Sequence, residues 1–130
     1  MEGLCNLDFL VVEDMSAVRY VLTKTLRRLG VKGRIDEARD GVEAWAMIQD
    51  HNFDIIICDI HMPRMNGLEL KKLMRANPRF RETPFLMVSG EVNEDTLIQA
   101  IESEFDGYLS KPFRSAMLEK RLVELWGGDD

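Results

Sequence analysis

The chain has 130 residues, 45% of them hydrophobic and 31% charged, with a formal net charge of -6. That balance fits one ordinary globular domain able to build a core without metal or disulfide staples, and it excludes a disordered chain. The negative charge argues against direct binding of nucleic acid, whose phosphates would repel it.

Taken in order, short apolar runs alternate with segments of helical period. FLVV at 9–12 lacks polar alternation, which predicts a strand buried on both faces, as in a parallel sheet. Val18, Tyr20, Val21, Leu22, Leu26 and Leu29 then recur at helical spacing, and Gly30 follows as a C-terminal cap. RIDEA at 34–38 predicts a weaker second strand, and the Asp40-Gly41 turn opens a second helix marked by Trp45 and Ile48. DIIIC at 54–58 predicts the third strand, and Leu70, Leu73 and Met74 mark the third helix. FLMVS at 85–89 predicts the fourth strand. Asn93 then caps a fourth helix, in which Leu97, Ile98 and Ile101 share a face. GYLS at 107–110 is the last predicted strand, and Leu118, Leu122, Leu125 and Trp126 mark the fifth helix. All these apolar stripes are expected to face the core. The alternation implies an α/β domain with right-handed crossovers. The domain is expected to span 1–126, with GGDD at 127–130 a flexible tail or the start of a linker.

Cys58 sits inside an apolar run and reads as a small buried thiol, and Cys5 lies near the N-terminus, so a reducing compartment is expected. The first basic residue is Arg19, so no positively charged signal-peptide start is present. The apolar runs fall far short of the roughly 20 residues a membrane helix needs. A cytoplasmic protein without membrane contact is expected.

The residues that follow each strand carry the chemistry. Glu13 and Asp14 follow the first, Asp59 the third and Lys111 the fifth, while Ser89 ends the fourth. In a parallel sheet these carboxyl ends share one edge, where open α/β sheets bind ligands. Carboxylates held close repel one another by about 1 to 4 kcal/mol per pair, and a hard divalent cation relieves this. Lys111 adds a compact positive charge, Ser89 a hydroxyl, and Asp59 a carboxylate nucleophile. The set fits phosphoryl transfer, where positioning and charge neutralisation do most of the catalysis. There is no phosphate-binding glycine loop, and His51 and His61 form no zinc pattern with the cysteines. His51 reads as a surface residue at a helix end.

The stretches FLVVEDMSAVR, EARDGVEAW, DIIICDIHMPRMNGLEL, PFLMVSGE and GYLSKPF together resemble the receiver domain of two-component response regulators, over essentially the whole chain. They are most similar to the single-domain chemotaxis type. The resemblance implies a flavodoxin-like doubly wound (βα)5 fold, with five parallel strands in the order 2-1-3-4-5. It implies that Asp59 accepts a phosphoryl group from a sensor histidine kinase or phosphotransfer protein. Asp14, Asp59 and the backbone carbonyl of His61 would bind Mg²⁺, with Glu13 acting through water and Mn²⁺ able to substitute. Lys111 would pair with the phosphoryl group, Ser89 would hydrogen-bond it, and Tyr108 falls at the aromatic switch position. A phosphorelay switch is expected rather than an enzyme, a monomer or weak dimer. Its output partner would meet the face of the fourth helix, fifth strand and fifth helix.

The chain departs from the family pattern in places. Gly90 stands where alanine is common, and Glu104-Phe105 stand where Gly-Ala is common, so the turn after the fourth helix is expected to differ. Glu91, Glu94, Asp95, Glu102, Glu104 and Asp106 form an acidic run without Lys or Arg, which reads as a solvated face suited to a basic partner. Two other readings compete. A haloacid-dehalogenase-like phosphatase needs a second Asp two residues after the nucleophile, where this chain has His61. A receiver-like module that is not phosphorylated would have no need of the full set of site residues.

Overall fold

Strand β1 (Phe9–Val12) is buried along its whole length, as are most of β3 (Ile55–Asp59) and all of β4 (Phe85–Ser89). Strands this apolar need both faces covered. In the computed structural model, α1 (Ser16–Arg28) and α5 (Ser115–Leu125) cover one face of the sheet. Helices α2 (Gly41–Asp50), α3 (Gly67–Arg75) and α4 (Glu94–Ala100) cover the other. The structure describes residues 1–90 and 93–127, so Glu91 of the acidic run and the tail residues 128–130 lie outside the described residues.

β2 (Ile35–Ala38) and β5 (Asp106–Ser110) complete a parallel sheet of five strands in the order β2-β1-β3-β4-β5. This is the flavodoxin-like order that the resemblance implies. The strand pleat divides the core in two: Leu10 and Val12 point toward α2 and α3, while Phe9 and Val11 point toward α1 and α5. The caps predicted at Gly30 and Asn93 form, and the structure adds side-chain caps at Asp40 and Asn66. Gly30 adopts φ 106° after α1, and its N–H donates to the Arg27 carbonyl while that of Val31 donates to Leu26, a Schellman closure. Asp40, Asn66 and Asn93 cap α2, α3 and α4 through their side chains.

Several stripe residues do not face the core. Tyr20 and Val21 are exposed, because the buried seam of α1 runs through Leu22 and Leu26, one turn apart. α4 spans only seven residues and seats Ala100 against the sheet. Ile98, two positions earlier, therefore turns outward, and Ile101 lies past the helix end. Leu73 and Trp126 are also exposed. The acidic run is not solvated throughout, since Asp106 is buried beneath α3. His51 ends α2 but is half-buried, with its Nε2 3.3 Å from Asp8 Oδ2 and its ring edge-on to Phe53.

Candidate phosphoryl and metal site

The carboxyl ends of the strands bring the candidate residues to one edge. Register pairs Val12 with Cys58, Asp59 with Val88, and Ser89 with Ser110, so Glu13, Asp59, Ser89 and Lys111 lie almost level. Carboxylate oxygens of Glu13, Asp14 and Asp59 lie within 4.8 Å of one another. They differ in access: Glu13 is buried, Asp59 half-buried and Asp14 exposed.

Lys111 follows β5, and its N–H donates to the Ser89 carbonyl at 2.9 Å, which ties the ends of β4 and β5 together. Its ammonium lies 2.9 Å from Glu13 Oε1 and 3.7 Å from Asp59 Oδ2. The lysine therefore bridges both carboxylates and sits closer to Glu13. The other Glu13 oxygen accepts the Met15 N–H at 3.0 Å, and Asp59 Oδ1 accepts the Ile60 N–H at 2.8 Å.

These contacts do not neutralise the site. Burial pushes the Glu13 carboxyl above its ordinary range, and the Asp59 charge adds to this against the Met15 and Lys111 donors. Burial likewise pushes Asp59 up, with Asp14 adding repulsion, against Lys111 and the N–H groups of Ile60 and His61. The Lys111 ammonium thus reaches two of the three carboxylates, Glu13 and Asp59. An all-oxygen set with excess negative charge suits Mg²⁺, which takes few carboxylates and keeps several waters. The donor set fits the ion.

The remaining candidates are nearby. Ser89 is buried at the end of β4. His61 lies two residues past Asp59, in the loop to α3, with its side chain exposed. Tyr108 lies opposite Met87, half-buried, and its hydroxyl donates to the Ser89 carbonyl at 3.4 Å. A close approach also shapes the site floor, because a Cβ on Gly67 would come within 2.3 Å of the Asp59 carbonyl oxygen.

Two groups of residues escape a reading along the chain. Arg64, in the loop after Asp59, pairs with Asp40 at the start of α2. Lys71 and Arg75 of α3 converge on Asp106. Lys71 carried a signal: with Gly67, Leu70 and Met74 it makes the buried stripe of α3, where a lysine needs an acidic partner.

A family model of the response regulator receiver domain matches residues 9–123. The chain is 40% identical over 123 residues to chemotaxis protein CheY1 of Helicobacter pylori strain J99, covering 93% of this chain and 98% of that protein. A high-resolution structure of Vibrio cholerae chemotaxis protein CheY4 superposes with a TM-score of 0.82 at 33% identity, covering 92% of this chain and 98% of that one. The receiver domain of sensor histidine kinase PA1611 from Pseudomonas aeruginosa PAO1 superposes with a TM-score of 0.81 at 26% identity, covering 94% and 98%. That structure has a magnesium ion coordinated in its active site cleft.

Proposed function

The chain belongs to the response regulator receiver family, and from that premise we propose that it is a phosphorelay switch whose phosphoryl acceptor is Asp59. The observation that carries this is the gathering of Glu13, Asp14 and Asp59 oxygens within 4.8 Å, with Lys111 Nζ 3.7 Å from Asp59. A receiver domain implies a histidine kinase partner in two-component signalling and is not a classical enzyme.

The proposed donor is a phosphohistidine of a sensor histidine kinase or phosphotransfer protein. Its P–N bond breaks as a P–O bond forms to Asp59, and the imidazole leaves with the electron pair. Asp14, Asp59 and the His61 carbonyl would hold Mg²⁺, with Glu13 behind a water, to neutralise the carboxylates and orient the phosphoryl oxygens. Lys111 is proposed to transfer its contact from Glu13 to the new phosphoryl group. Ser89 is proposed to hydrogen-bond that group, drawing the end of β4 inward, and Tyr108 to follow. The proposed output face, α4–β5–α5, exposes Ile98, Ile101 and Met117 beside the exposed acids Glu94, Asp95, Glu102 and Glu104. Its partner is proposed to be basic with apolar anchors.

Incubation with acetyl phosphate and Mg²⁺, followed by intact mass, tests the acceptor. Wild type should gain one phosphate and lose the reaction when Mg²⁺ is chelated. An equal gain by Asp59→Ala would overturn the assignment.

A further inference from the structure

We propose that Arg64 and Asp40 form a latch that holds the loop after Asp59 in shape and so sets the affinity of the acidic site for Mg²⁺ from outside it. The inference rests on the function proposed above. Residues 60–66 join β3 to α3 and carry His61, whose carbonyl is the one proposed ligand with no side chain to steer it. A carbonyl is placed only by its backbone, so whatever fixes this backbone fixes the ligand.

The ends of the loop are secured. The Gly67 N–H donates to the Ile60 carbonyl at 2.9 Å, and Asn66 and Glu69 close a capping box on α3. Between them the chain turns through Arg64 at φ 67°, a left-handed conformation that side chains with a Cβ disfavour. Such a turn persists only where the surroundings over-determine it. Here α2 supplies the surroundings. Arg64 Nε donates to Asp40 Oδ2 at 2.9 Å, and its Nη2 donates to the same oxygen. The Gly41 N–H donates to the Met65 carbonyl at 3.0 Å.

Exposed ion pairs contribute little when both partners are mobile. Only one partner is mobile in this pair. The Asp40 side chain is 7% exposed, and its Oδ1 accepts the Glu43 N–H at 2.9 Å as the cap of α2. Arg64 therefore anchors to a carboxylate that the helix already fixes. The fit leaves no slack, because a Cβ on Gly41 would lie 2.7 Å from the Met65 carbonyl oxygen.

The test is Mg²⁺ titration by calorimetry on wild type, Arg64→Ala, Asp40→Asn and the double variant. Asparagine caps a helix as well as aspartate, so Asp40→Asn removes the charge and keeps the cap. Partners one step behind a ligand set metal affinity, and each single change should weaken binding by about 10-fold, the low end of what such partners cost. The double variant should be no weaker than the worse single, and Arg64→Lys should recover part of the loss. Metal-free thermal midpoints separate a shaped loop from a failing fold, and Asp40→Asn with Arg64→Lys carry the test if Arg64→Ala does not fold. Unchanged affinity in both singles, or losses that add in the double, would overturn the latch and leave the proposed function standing. A wild type without Mg²⁺ affinity would overturn both.

Discussion

Two clusters of buried charge flank the sheet, and they resolve the same problem in opposite ways. At the base of α4, the Asp106 carboxylate is 1% exposed and accepts five hydrogen bonds. Arg75 supplies two, at 3.1 and 2.7 Å, Lys71 one at 3.2 Å, and the N–H groups of Glu102 and Ser103 one each at 3.0 Å. Burial alone would raise its pKa, but these donors overcome burial and hold the carboxyl below the ordinary range. At the acidic site, burial wins instead, and both Glu13 and Asp59 are pushed up. Depth does not separate the clusters, since Glu13 is as buried as Asp106. The ratio of donors to carboxylates does. A structural cluster closes its accounts internally, whereas a binding site leaves a charge for its ligand to meet.

The largest expected effect contrasts the two aspartates. Asp106→Asn leaves Lys71 and Arg75 without their shared anion, and breaking a buried pair from one side costs about 3 to 5 kcal/mol. Asp59→Asn removes a carboxylate repelled by its neighbours and should gain about 1 kcal/mol in the metal-free protein. Urea unfolding of both variants reads the difference. Equal losses in both would erase the distinction between the clusters.

Acidity should separate them again, with a smaller effect. Glu13 and Asp59 bind protons more tightly folded than unfolded, so metal-free stability falls as pH rises through the window between their unfolded and raised folded values. Asp106 behaves in the opposite sense. Its contribution is complete above the ordinary value of 3.8 and is lost as pH falls through its lowered folded value. Metal-free stability should therefore rise on mild acidification from neutral pH and collapse only at stronger acidity. Asp59→Asn should flatten the rise, and saturating Mg²⁺ should reverse it, because the ion binds deprotonated carboxylates. Urea midpoints measured across that range at fixed ionic strength check the sign. A rise on acidification that Asp59→Asn leaves intact would assign it elsewhere.

The acidic site was legible in the sequence because a parallel sheet converts distance along the chain into position in space. FLVV, DIIIC and FLMVS read as strands buried on both faces, and Glu13, Asp59, Ser89 and Lys111 each stand at a strand's carboxyl end. The second cluster was not legible in the same way. Asp106 stands among exposed acids and begins β5, and its partners lie 31 and 35 positions earlier on α3. Composition placed it with the solvated face, while Lys71 on the buried stripe of α3 places it in the interior. The Asp40–Arg64 pair was hidden for a related reason, since it joins two loops whose contact depends on how α2 and α3 pack. Ile98 and Ile101 kept helical spacing but not burial, because α4 is too short to cover the sheet with more than Ala100 on that face.

The smallest expected effect lies along α4, which ends at the closed cluster. Lys71 donates to the carbonyls of Gln99 and Ala100, the C-terminal turn of α4, where a cation also suits the helix dipole. Asn93 begins the helix four residues after Ser89, on the side of the proposed phosphoryl group. One end is tethered and the other adjoins the proposed switch. A phosphoryl mimic on Asp59 shifts an equilibrium only through contacts that differ between states, and Ser89 is the proposed contact. Beryllofluoride with Mg²⁺ should therefore perturb amide resonances most at 93–96 and progressively less toward 100–106. Ser89→Ala should still accept a phosphoryl group, since Asp59 and the carboxylates remain, but the perturbations along α4 should shrink. Lys71→Met keeps the side chain's length and removes the tether, so perturbations should then extend evenly to the end of the helix. Changes confined to residues 13, 14 and 59–61 in wild type would mean that the open cluster binds its ligand without moving α4 at all.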